Sequence, residues 1–218
     1  MKTAAVILSG CGVYDGSEIH EATLTLAALD RANAKVLCAA PDIPQARVVN
    51  HLTGQPVEGE QRNALLEAAR IARGNIIPLS ELKEEAVDAA ILPGGFGAAI
   101  NLCNFAEAGE NCTVLPELEN FLRAMHAADK PLGFICIAPT IAARVFGPQG
   151  VEVTIGNDPE TAAKIEAMGA KHIHCTVHNA IVDRRHKIVS TPAYMLAKRI
   201  AEAEAGIQKL VQHVLELA

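Results

Sequence analysis

Cys136 lies in the run Pro131-Leu132-Gly133-Phe134-Ile135-Cys136-Ile137-Ala138-Pro139-Thr140. A short apolar stretch leads into the cysteine, and a helix-compatible segment with an early proline follows. That is how a chain sets a thiol at the sharp turn between a buried strand and a helix. The unpaired N–H groups and positive dipole end of such a helix favour a thiolate, so the expected chemistry is nucleophilic. The plainer reading is a structural cysteine, because free Cys is among the most buried residue types. Two further features give the nucleophile company. Gly94-Gly95 ends an apolar run over residues 87–92, and glycines there serve equally as an ordinary turn. Functionally, the N–H of Gly95 and that of Ile137 would form an oxyanion hole, and the absent side chain of Gly94 would let a substrate approach closely. Glu21 can bring a carboxyl to the same rim. Beside a thiolate its pKa would rise and it could move protons, although most such glutamates are solvated. Glu18, one turn earlier, competes for that role. Tyr14 and Asp15, in the loop Ser9-Gly10-Cys11-Gly12-Val13-Tyr14-Asp15-Gly16, are substrate-site candidates on a loop read as a lid.

Two other chemistries fit less well. His172, His174 and His178, with Cys175 among them, would share one face if they lay on a strand. Imidazole and thiolate bind zinc, but the spacing of a zinc finger is missing, so no metal is expected. Gly10-x-Gly12-x-x-x-Gly16 departs from the dinucleotide fingerprint, and Asp42 is only loosely placed as a ribose ligand.

These residues need elements to position them. Strand and helix patterns alternate along the chain. Strands are expected at 3–8, 35–40, 87–92, 132–135, 151–155, 174–182 and 187–190. Helices are expected from a cap at Ser17 to Arg31, and over 61–73, 115–128, 137–146 and from 158 or 161 to 168. A long helical tail follows Pro192, with a break near Gly206. A small hairpin is expected around Val48-Val49 and Pro56-Val57, and residues 97–116 read as an irregular insertion beside the site. The β–α–β–α order predicts one α/β domain over 1–218, built on a mostly parallel doubly wound sheet. Ligands gather at the carboxyl ends of such strands, where the three loops around Gly10, Gly94 and Cys136 would meet.

Composition agrees with that architecture. Half of the 218 residues are hydrophobic, only 3% are aromatic and there is no Trp, so the core must be Ala, Val, Ile and Leu. That suits strands buried on both faces. The net charge of −6 and the lack of a basic cluster make nucleic acid an unexpected partner. Six scattered cysteines without CxxC pairs read as reduced thiols, and the cytoplasm is the expected compartment. Leu8-Ser9-Gly10-Cys11 imitates a lipobox, but the apolar stretch before it is too short for a signal core and fits a first strand. No run approaches the ~20 apolar residues of a membrane span, so no membrane partner is expected.

Glu21, Leu92-Pro93-Gly94-Gly95-Phe96-Gly97 and Ile135-Cys136-Ile137-Ala138-Pro139-Thr140 together resemble the ThiJ/PfpI superfamily of class I glutamine amidotransferase-like proteins. The segments 9–18 and Thr191-Pro192-Ala193-Tyr194-Met195 resemble a bacterial branch whose family name implies a link to isoprenoid biosynthesis. The resemblance implies a flavodoxin-like three-layer α/β/α sandwich, a homodimer, and Cys136 as nucleophile with Glu21 beside it. It also implies members that act as cofactor-independent glyoxalases, deglycases, chaperones or peptidases. One departure narrows this. Several relatives supply a His directly after the cysteine or some twenty residues later, where this chain has Ile137 and Gly156. Amide hydrolysis normally needs that imidazole for the departing amine. An aldehyde has no leaving group. The expected activity is therefore a weak, cofactor-free conversion of glyoxal to glycolate, with a small aldehyde as substrate. The alternatives are a redox-responsive or binding protein using the same cysteine, and ammonia chemistry with a partner.

Overall fold

The computed structural model describes all of residues 1–218. In chain order its elements begin β1 (Thr3–Ile7), α1 (Ile19–Arg31), β2 (Lys35–Ala40), β3 (Val49–Asn50) and β4 (Gln55–Pro56). The middle of the chain forms α2 (Ala64–Ile71), β5 (Ile76–Pro78), β6 (Ala89–Leu92), α3 (Phe96–Ile100), α4 (Phe105–Ala108) and α5 (Pro116–Ala127). Then come β7 (Leu132–Ile135), α6 (Pro139–Phe146), β8 (Glu152–Val153), α7 (Pro159–Ala167) and β9 (Lys171–His172). The chain closes with β10 (Ile181–Asp183), β11 (Ile188–Thr191) and α8 (Ile200–Leu217).

Seven strands form one sheet in the order β10-β11-β7-β6-β1-β2-β5, and every pairing except β10 with β11 is parallel. The period-two alternation of β1 divides the core. Ala4, Val6 and Leu8 join α1, α2 and α8 in one apolar cluster, whereas Ala5 and Ile7 face the cluster of α5, α6 and α7. Helices on both faces of the mostly parallel sheet that the alternating pattern predicts make the flavodoxin-like α/β/α sandwich that the resemblance implies. The chain steps outward from β1 through β2 to β5, then returns to β6 on the other side of β1. That reversal is the topological switch point where open α/β sheets leave a crevice. No helix is long and apolar enough to cross a membrane.

Several expected elements differ. Ile76–Pro78 is an edge strand that the sequence pattern did not single out. It is three residues long and ends in proline, which is tolerated at an edge because no further strand needs its N–H. Residues 174–180 are not a strand. β9 stops at His172, and β10 begins only at Ile181. The proposed one-sided histidine face therefore does not exist, although the His172 and His174 rings stand edge to face at 5.5 Å. No group of three His, Cys, Asp or Glu residues is arranged to hold a metal ion. α8 runs unbroken through Gly206, whose bare Cα allows close packing on Thr191 and Val177.

Candidate active site

Three loops meet at the switch point. The segment after β1 is zipped to the segment after β6: Glu18 N–H donates to the Gly94 carbonyl at 2.9 Å, and Phe96 N–H to that of Val13 at 2.8 Å. α1 is capped by Glu18 rather than Ser17. A Glu18 carboxylate oxygen accepts the Glu21 N–H at 2.7 Å, while the Ser17 hydroxyl accepts the Ser9 N–H at 2.9 Å and braces the loop. A carboxylate at the cap also complements the helix dipole. This start places Glu21 in the first turn with its side chain directed inward, fully buried.

Cys136 follows β7, and its N–H donates to the Thr191 carbonyl at 2.9 Å. Its φ of 63° lies in the left-handed region, a strain of about 1–3 kcal/mol for a residue with a Cβ. Ala193, after the neighbouring strand β11, is likewise left-handed at 42°. Sharp turns at two adjacent strand ends aim both segments into the crevice. Cys136 is 8% exposed.

The Cys136 side chain and the Glu21 carboxyl lie side by side against the bare Cα of Gly94, and the N–H groups of Gly95 and Ile137 are near enough to the sulfur to pull its pKa down. The structure thus brings together Cys136, Glu21, Gly95 and Ile137. One Glu21 oxygen accepts the Gly94 N–H at 2.9 Å and the other the Tyr194 N–H at 3.2 Å. Burial raises the Glu21 pKa to about 8, with the nearby Glu18 charge adding to the rise and the two N–H donors opposing it. Burial also pushes the Cys136 thiol up, and the Glu21 charge pushes it further, against the pull of the two backbone N–H groups. The resting pair at neutral pH is therefore mostly a thiol and a neutral carboxyl. The helix-dipole argument for a thiolate is outweighed by desolvation.

Gly94 explains the close approach. A Cβ there would sit 2.5 Å from the Cys136 Cβ and 2.8 Å from a Glu21 carboxyl oxygen. Gly95 has φ 89°, and its Cβ would meet the Glu18 nitrogen at 2.4 Å. Gly94→Ala should lower stability by about 1–3 kcal/mol and separate the thiol from the carboxyl, measured as a drop in melting temperature.

Cys136 forms the floor of a cavity of about 380 Å³. Its walls are Val13, Phe96, Ala99, Phe105, Ala106 and Met195, with Glu18 and Tyr194 as the polar side chains. A larger depression of about 890 Å³ lies between α1 and α8, far from this chemistry. Residues 97–116 do lie beside the site, folded as α3, α4 and a 3₁₀ turn. Tyr14 and Asp15 do not line the cavity. Asp15 is buried and accepts the Val49 N–H at 2.8 Å, tying the hairpin to the loop, and the Tyr14 ring packs on His51.

No histidine lines the cavity. One imidazole reaches the cavity lining at one remove: His20 Nδ1 is 2.7 Å from the Tyr194 hydroxyl. Burial, then the charges of Glu18 and Glu21, raise the Tyr194 pKa, so the phenol keeps its proton. This pair was not identified from sequence. The signal was available, because Tyr194 follows a parallel strand at its carboxyl end, as the other site loops do.

No family model matches the chain. It is 50% identical to the human glutamine amidotransferase-like class 1 domain-containing protein 3, mitochondrial, over 98% of this chain and 82% of that protein. Its structure superposes on the Ehrlichia chaffeensis isoprenoid biosynthesis protein with amidotransferase-like domain with a TM-score of 0.93 at 37% identity, covering 100% of this chain and 99% of that one. A ThiJ/PfpI domain protein from Brachyspira murdochii shares the fold at 14% identity, with a TM-score of 0.60 over 99% and 98% of the two chains. The expected cytoplasmic location is corrected by these relatives. The human protein and the ES1 proteins of rat and zebrafish are each named mitochondrial, which points to the mitochondrion. Scattered cysteines without CxxC pairs, on which the cytoplasmic expectation rested, do not distinguish one reducing compartment from another. By sequence identity along nearly its whole length, the chain belongs to the ES1 group of glutamine amidotransferase-like class 1 proteins, and it shares its fold with ThiJ/PfpI and DJ-1 proteins.

Proposed function

We propose that the protein is a cofactor-independent glyoxalase acting on glyoxal, with Cys136 as nucleophile. The observation that carries this reading is the burial of Cys136 and Glu21 side by side against Gly94, whose N–H donates to the Glu21 carboxyl at 2.9 Å. With Glu21 ionised, its carboxylate takes the Cys136 thiol proton as the sulfur adds to one aldehyde carbon, then passes that proton to the oxygen that gains charge, which the N–H groups of Gly95 and Ile137 hold. Glu21 as carboxylate takes the hydrogen of that carbon as a proton and returns it to the second carbon. The first carbon is thereby oxidised and the second reduced, with no external oxidant. Water then hydrolyses the thioester to glycolate and frees the thiol.

In this reading Tyr194, held by His20, gives a proton to the second carbonyl oxygen as it is reduced and recovers one from the first carbon's hydroxyl as the thioester carbonyl forms. It takes the place of the imidazole that relatives carry nearer the cysteine. The same absence counts against amide hydrolysis, and the buried, protonated thiol counts against a redox sensor. This reading takes the chain as a single domain and, as the family resemblance implies, as a homodimer. The name of the Ehrlichia chaffeensis relative supports a link to isoprenoid biosynthesis.

Purified protein given glyoxal without glutathione should yield glycolate, followed by proton NMR, and no glycolate would refute the activity. Tyr194→Phe should lower kcat by about 10²-fold, the lower end of general acid catalysis. His20→Ala should do less and shift the pH profile, since it acts through the phenol.

A further inference from the structure

Glyoxal does not account for the cavity above Cys136. At about 30 Å³ per water, 380 Å³ holds on the order of a dozen water-sized groups. Glyoxal has four heavy atoms and would leave most of that volume to water against apolar walls. Those walls are built with some care. Phe105 and Ala106 come from α4, in the stretch that follows the elements common to a plain β–α repeat, and Phe96 and Ala99 come from α3. Phe96 is 44% exposed, so its ring contributes an apolar surface at the open side of the cavity.

Charge narrows the ligand. Among the lining side chains the ionisable groups are Glu18, Tyr194 and Cys136, and there is no Lys, Arg or His. Outside the lining, Arg47 stacks on the Phe96 ring at 5.3 Å. Its Nε and Nη2 already donate to the Tyr14 carbonyl, at 3.3 and 3.2 Å. A phosphate or carboxylate on the substrate would enter an apolar space with a glutamate at its edge and no counter-charge inside.

Resting on the glyoxalase reading, we propose that the preferred substrate is an uncharged 2-oxoaldehyde with an apolar tail of roughly five to eight carbons, a length set by the volume per group. Its aldehyde carbon meets the Cys136 sulfur, and its tail lies among Phe96, Phe105 and Met195. The reaction balances as for glyoxal. R–CO–CHO and water give R–CHOH–COOH, the aldehyde carbon being oxidised and the ketone carbon reduced within one molecule.

Two series of measurements on the full chain separate this proposal from the reading beneath it. In the first, Cys136 is alkylated by N-methyl, N-ethyl, N-butyl and N-hexyl maleimide, with rates normalised to glutathione and the site read by peptide mass spectrometry. Burial of each methylene should raise the rate by up to about fourfold until the cavity is filled. In the second, kcat/KM is compared for glyoxal, methylglyoxal, butylglyoxal, hexylglyoxal and a hexyl analogue ending in carboxylate. The values should climb along the series, and the carboxylate should forfeit the gain. Ala106→Phe, at an exposed wall position, should flatten both slopes, whereas Ala106→Ser should keep them. Glyoxal turnover with flat slopes overturns the tail and leaves the glyoxalase standing. Steep alkylation with no turnover of any aldehyde overturns the aldehyde chemistry while supporting the apolar ligand.

Discussion

Cys136→Ala should reduce glycolate formation from glyoxal by about 10³-fold or more, down to the uncatalysed background. The size of the effect follows from the proposed role: without the sulfur there is no hemithioacetal, and the Glu21 carboxyl has no positioned carbon acid to act on. The variant should still fold. Alanine keeps a Cβ at φ 63°, so the backbone strain is unchanged, and the lost sulfur contacts should cost on the order of 1 kcal/mol. Circular dichroism and a melting curve should therefore stay close to wild type while NMR shows glyoxal persisting. Undiminished glycolate from this variant would remove Cys136 from the mechanism.

Glu21→Gln should lower kcat by about 10²–10⁴-fold, the range for loss of a general base. It should also change how stability responds to pH, which gives a readout independent of turnover. The folded-state pKa of Glu21 is about 8, above the 4.5 of an unburied glutamate. The native chain therefore binds more protons than the unfolded chain between those values. The stabilisation is complete below about pH 4.5 and is lost as pH rises through 8. At about 1.4 kcal/mol per pH unit, the loss amounts to roughly 4–5 kcal/mol. Denaturant unfolding from pH 5 to 9 should show this decline in the wild type and its absence in the variant. Parallel slopes would mean that Glu21 titrates as an exposed carboxyl. Wild-type kcat/KM should move in the opposite sense, rising towards pH 8, because the active pair carries one proton fewer than the resting pair.

Much of the site was legible because each part had a local signature. Cys136 follows an apolar run of strand length, Gly94-Gly95 ends another, and Glu21 opens an amphipathic helix. These cues survive in one dimension because they depend on residues within a turn of each other. Tyr194 and His20 had no such cue. They are 174 positions apart in sequence, and their 2.7 Å contact exists only because β11 lies beside β7 and α1 packs near its end. Ser17 was misread as the cap because the Ser9 backbone claims its hydroxyl from across the loop. The strand expected over 174–182 failed for the opposite reason. Alternating residues indicate a strand only where a partner edge is available, and no edge reaches residues 174–180.

The sequence by itself determined a parallel α/β sandwich and the convergence of a thiol, a carboxyl and two glycines at its carboxyl edge. Hydrophobic periodicity and turn chemistry are short-range, and they leave few topologies open. Only the tertiary structure decided the protonation of that group and the shape of the space above it. Desolvation depends on everything packed around a charge, and it turned an expected thiolate into a thiol beside a carboxyl of pKa about 8. A cavity wall is likewise assembled from separate segments, here the loop after β1, α3, α4 and the turn after β11, and no single segment carries its outline.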